Sequence, residues 1–132
     1  MGLFLNYPIE EYIQQLIKLQ EFNKKYNLNF QKDTTNINLI CMKIGNEGLK
    51  DLCQLKFKEL KELDLKYNKI RDINILEKVN LKKLEKLNLY HNKILDINIL
   101  EKIKLKELKE LNLSDNKISD IKILGKVNFK EL

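Results

Sequence analysis

The side chains able to do chemistry in this chain recur at a fixed interval of 24 residues. Asn68, Asn92 and Asn116 form one set, Asp72, Asp96 and Asp120 a second, and Lys69, Lys93 and Lys117 a third. Three carboxylates in register could bind a metal ion. Each, however, stands just before an isoleucine that opens an apolar stretch. An Asp there accepts backbone N–H bonds as a helix N-cap, and capping is the reading the position favours. The amide row could line a ligand site. The lysine row could attract an acidic partner, nucleic acid or an anionic membrane. His91 is the single histidine, which argues against a histidine metal site and a Ser-His-Asp triad. Cys41 and Cys53 are too few and too far apart for a disulfide scaffold or a zinc knuckle. We read both as reduced, partly buried residues of an intracellular, cytoplasmic protein. No catalytic group, metal or cofactor is expected.

The elements that position these side chains are repeats. Residues 57–80, 81–104 and 105–128 align without gaps, and the first two agree at 14 of 24 positions, far beyond chance. In the middle copy the skeleton is Leu84, Leu87, Leu89, Asn92, Ile94, Ile97 and Leu100. Leu87 and Leu89 are two apart, so both face one side of a strand. From Ile94 onward the apolar step is three, which predicts a short helix or 3₁₀ turn. One copy is strand, turn, short helix and return. It cannot bury its apolar face alone, so copies must stack. The 132 residues suffice for one domain with a core, 43% of them being hydrophobic, and no apolar run approaches the length of a membrane span.

This skeleton resembles the leucine-rich repeat, L-x-x-L-x-L-x-x-N/C-x-L, over Leu60–Ile70, Leu84–Ile94 and Leu108–Ile118. The continuation Asn-Lys-Ile-x-Asp-Ile-x-x-Leu resembles the short-helix classes of internalins and of a phosphatase-1 regulator. The resemblance implies an α/β fold: a right-handed βα solenoid of stacked repeats. It also implies that Asn68, Asn92 and Asn116 point inward as a structural ladder satisfying backbone groups at the turns.

Charges alternate between copies at three positions: Glu59/Lys83/Glu107, Lys61/Glu85/Lys109 and Glu62/Lys86/Glu110. Stacked about 5 Å apart, opposite signs face each other. Two lysine rows do not alternate, Lys69/Lys93/Lys117 and Lys58/Lys82/Lys106/Lys130, and carry most of the net charge of +6. They read first as a solubilising surface. Arg71 is the one arginine, which argues against base-specific nucleic-acid reading.

Residues 1–36 are expected to form an N-terminal capping helix and a link, and residues 37–132 the repeats. The helix is predicted from Pro8, in its first turn, to about Tyr26. Its apolar stripe is Ile9, Tyr12, Ile13, Leu16, Ile17, Leu19 and Phe22, and residues 27–36 follow as a polar link. Residues 37–56 read as a divergent repeat. Ile37, Leu39 and Ile44 match Leu63, Leu65 and Ile70, and two extra residues lie within Gly45–Gly48. Met42 takes the ladder position there. That glycine segment resembles the entry to the longer helix of ribonuclease-inhibitor-like repeats. Residues 129–132 repeat the start of residues 57–60. The chain is therefore expected to be a fragment or truncated array, with an open edge strand at Leu111–Leu113 available for self-association.

The outward strand positions would line a concave surface: Glu62, Asp64, Lys66 and Tyr67; Lys86, Asn88, Tyr90 and His91; Glu110, Asn112, Ser114 and Asp115. They vary while the skeleton does not. Tyr67, Tyr90 and His91 are the favoured anchors. The resemblance implies a protein–protein interaction module binding its partner on this face. The alternative is electrostatic binding of nucleic acid or anionic membrane through the lysine rows.

Overall fold

The computed structural model describes residues 2–125, and the side chains of 8–125. Leucines two apart project to one face in each copy, and the strands they form pair side by side. β1 (Asn36–Asn38), β2 (Glu62–Asp64), β3 (Lys86–Asn88) and β4 (Glu110–Asn112) make a parallel sheet in that order. The register places Ile37, Leu63, Leu87 and Leu111 in one row. Each strand returns through the opposite side of the coil. There the three-residue apolar step becomes 3₁₀ helix at Asn74–Lys78, Asn98–Glu101 and Lys122–Gly125. The result is an α/β solenoid with strands on one side and short helices on the other. Leu65, Leu84, Leu89, Ile70, Ile94 and Leu100 are fully enclosed between them.

The longer first coil carries a true α-helix, α2 (Gly45–Cys53). Gly45 adopts the left-handed conformation at φ +59° that opens it. A Cβ on Gly48 would meet Ile44 Cβ at 2.4 Å and the Tyr26 hydroxyl at 2.9 Å. Glycine is what lets this coil close against α1 (Gly2–Tyr26).

α1 covers the end of the core, but differently from its sequence pattern. It runs through Pro8, which lies inside the helix rather than in its first turn. The helix goes on without the N–H that Pro8 lacks. Leu19 and Phe22 are buried, and Leu16 and Tyr26 are half-buried. Ile9, Tyr12, Ile13 and Ile17 are exposed, because the helix outruns the coil beneath it. Nor is the following segment simply polar. Leu28 and Phe30 pack on the core, with Phe30 edge-on to Phe57 at 6.1 Å. Asn23 fastens this turn by donating to the Phe30 carbonyl at 2.9 Å and accepting from its N–H at 3.0 Å.

Two further expectations change. Asp72, Asp96 and Asp120 accept the backbone N–H two residues on, at 2.7, 2.7 and 2.9 Å. The cap residues at the first two turns are Ile73 and Ile97. The carboxylates therefore close Asx turns one residue before the cap. Cys41 is exposed rather than partly buried. Cys53 is half-buried in the convex helix, as its sequence position implies, and burial pushes its thiol up to about 12, which keeps it protonated. The repeat start at residues 129–132 and Lys130 lie outside the described residues. Among those described, no helix is long and apolar enough to cross a membrane.

Candidate protein-interaction surface

The coils are held in line by the asparagine ladder. Asn68 donates to the carbonyls of Leu39 and Leu65 at 2.7 and 3.0 Å, and its Oδ1 accepts the N–H groups of Met42 and Ile44. Asn92 repeats this one coil on, accepting from Asn68 and Ile70. Asn116 donates to Leu89 and Leu113 and accepts from Ile94. Each amide thus joins its own coil to the preceding one. Met42 offers only its N–H, so the ladder begins at Asn68.

A second ladder lies at the strand exits and was not foreseen. Asn38, Asp64, Asn88 and Asn112 each accept the backbone N–H two residues later, at 3.0–3.1 Å. Asp64, Asn88 and Asn112 therefore turn the chain out of the strand besides facing solvent. Their register, always Asn or Asp, was the available signal. Beyond them Cys41, Tyr67, His91 and Asp115 share one position, and all have left-handed backbones, at φ +58°, +61°, +53° and +55°. This turn lifts their side chains to the rim of the sheet.

The outward side chains fall into two groups. Over the strands lies an open trough of about 630 Å³, lined by Glu62, Asp64, Lys86, Asn88, Glu110 and Asn112, with Asn36 and Asn38 at its end. Lys86 stands between Glu62 at 3.7 Å and Glu110 at 3.6 Å. Lys66 and Asn88 approach Asp64 at 3.9 and 3.4 Å. The alternation thus closes here, and again as Lys83–Glu59 at 2.6 Å on another row. Among the described residues Lys61, Glu85 and Lys109 form no ion pair, so opposite signs on that row do not reach contact.

The second group is aromatic. Tyr67 lies against His91, with centroids 4.7 Å apart, and meets Tyr90 edge-on at 5.4 Å. Tyr90 and His91 are 5.9 Å apart. A hydrogen bond with Tyr90 holds the Tyr67 phenol above its ordinary range, and desolvation adds to it. His91 Nδ1 pairs with the Asp115 carboxylate. A groove of about 390 Å³ is lined by Tyr67, His91 and Asp115 and by Lys69, Lys93 and Lys117. Ser114 lies exposed beside Tyr90 in the coil register, its N–H held by Asn112. The sequence placed the three aromatic side chains on one face. It did not show that they touch each other. Among the described residues, no group of three His, Cys, Asp or Glu side chains is placed to hold a metal ion.

Comparison with known proteins fits this architecture. The model for leucine-rich repeats in pairs matches residues 58–102 and 82–126, together just over half the chain. Internalin C2 of Listeria monocytogenes is similar in structure, with 35% identity, a TM-score of 0.50, and 61% of this chain and 33% of that one covered. A second internalin of that organism, InlF, shows 30% identity and a TM-score of 0.41 over 64% of this chain and 30% of its own. The chain spans about a third of the length of these internalins. No curated protein matches it in sequence. With the strand register, the inward asparagine ladder and the family match in agreement, the chain belongs to the leucine-rich repeat family, in its internalin-like class.

Proposed function

We propose that this chain is an interaction module that binds a protein partner across its strand-bearing face. Its family is typically one of protein–protein interaction modules. The observation that carries the reading here is the cluster of Tyr67, Tyr90 and His91, assembled at the rim of an otherwise polar sheet. Tyr67 keeps 40% of its surface exposed. Amphipathic rings held against one another give contact area at little entropic cost, the usual makeup of interface anchors. The two unpaired cysteines support a reducing, intracellular setting.

Site-specific photo-crosslinking tests this. A crosslinker placed at Tyr90 should capture a defined protein. The same group placed at Glu77, on the convex side, should not. Loss of that capture in Tyr67→Ala/His91→Ala, with the fold retained by circular dichroism, would support the reading. Equal capture from both positions would refute it.

A further inference from the structure

The two kinds of charge row behave differently in the structure. Two of the rows that alternate in sign close ion pairs, as Lys83 does on Glu59 and Lys86 does between Glu62 and Glu110. The row of Lys69, Lys93 and Lys117 makes no ion pair among the described residues. Its members recur at the spacing of adjacent coils, about 5 Å. They line one groove together with Tyr67, His91 and Asp115. Three aligned like charges repel one another, and an anion lying along the row would relieve that repulsion.

We propose that this groove takes an extended acidic segment of the protein partner, its carboxylates spaced along Lys69, Lys93 and Lys117. The inference rests on the strand-face reading above and names the chemistry of the partner. The groove runs across successive coils, so an extended chain lying along it meets one lysine per coil. A single-stranded nucleic acid fits less well. Such strands bind through bases stacked on successive ring faces, and here the Tyr67–His91 contact takes up part of that surface. Asp115 also lines the groove, in its last described coil. It would oppose an unbroken run of phosphates, whereas a peptide can place an uncharged residue beside it.

Fluorescence anisotropy on the full chain tests this, using labelled oligoglutamate, oligolysine and oligothymidylate of matched charge number. Lys69→Glu/Lys93→Glu/Lys117→Glu is compared with Lys78→Glu/Lys82→Glu/Lys104→Glu. The second variant makes the same change in net charge on the convex side, where its lysines line a separate depression. Oligoglutamate should bind the wild type. The groove variant should weaken it by about tenfold or more and the convex variant by less than about twofold, as local complementarity requires. Equal losses in both variants would reduce the effect to net charge and overturn the proposal. So would tighter binding of oligothymidylate than of oligoglutamate, or no oligoglutamate binding at all. The crosslinking from Tyr90 separates the two readings. If it persists while oligoglutamate fails, the acidic-segment inference falls alone. If both fail, the strand-face reading falls with it.

Discussion

The first and the last described coils are covered differently. At the N-terminal end, Ile37 and Leu39 are 1% and 0% exposed, because α1 lays Leu19 and Phe22 over the first coil. At β4, Leu111 and Leu113 hold the equivalent positions and are only half-buried. Both coils place apolar residues at the same two inward strand positions, so that pattern alone does not decide burial. The neighbour does. A repeat contributes one interface to the coil before it and requires another from the coil after it. The end covered by a non-repeat element is therefore the end where single residues should matter most.

The sharpest way to break that contrast is inside α1. Phe22→Ala removes the ring that packs on Tyr26 and covers the first coil. It should cost about 3–5 kcal/mol in urea unfolding, the range for a buried phenylalanine. Ile13→Ala changes the same helix where it is 47% exposed. That substitution should stay within about 0.5 kcal/mol. Comparable losses would mean that the N-terminal half of α1 also packs on the protein.

A smaller difference should appear along the asparagine ladder. Asn92→Ala leaves the N–H groups of Asn68 and Ile70 without their acceptor in the buried interior. The expected cost is about 3 kcal/mol, since each stranded donor is penalised separately. Asn116→Ala frees the Ile94 N–H and leaves carbonyls at a half-buried rung. Water can replace part of what is lost there, and about 1 kcal/mol is expected. Equal costs would show that the last described rung is as dry as the middle one.

How much of this was legible follows from what repeats. Leu63, Leu87 and Leu111 recur with the ladder asparagines, and recurrence carries both a strand and its inward face. Asp64, Asn88 and Asn112 recur just as faithfully. They were read as variable surface because outward position concealed their bond to the backbone. The rim position of Cys41, Tyr67, His91 and Asp115 had no comparable signal. Four unlike residues share one left-handed turn, and only the backbone shows it. For α1, periodicity marked an apolar stripe, but a stripe does not say how far its partner extends. Ile9, Tyr12, Ile13 and Ile17 lie past that limit. The paired contacts of Tyr67, Tyr90 and His91 come from stacking adjacent coils, which no single repeat encodes.

The smallest effect belongs to the ion ladder over the strands, and it tests whether that ladder holds coils together or only orders the surface. Lys86 reaches Glu62 and Glu110 at 3.7 and 3.6 Å, with 47%, 42% and 67% of the three side chains exposed. Exposed pairs of this length contribute between 0 and about 1 kcal/mol. Lys86→Met keeps most of the aliphatic stem and removes the charge, so it should cost no more than about 1 kcal/mol in low salt. At 1 M salt the screening length shrinks to about 3 Å. The wild-type and variant urea midpoints should then converge. A difference that survives high salt would assign the effect to the stem of Lys86 lying along the sheet. The alternating row would then act by packing, and the contrast with the groove lysines, which make no ion pair among the described residues, would rest on the groove alone.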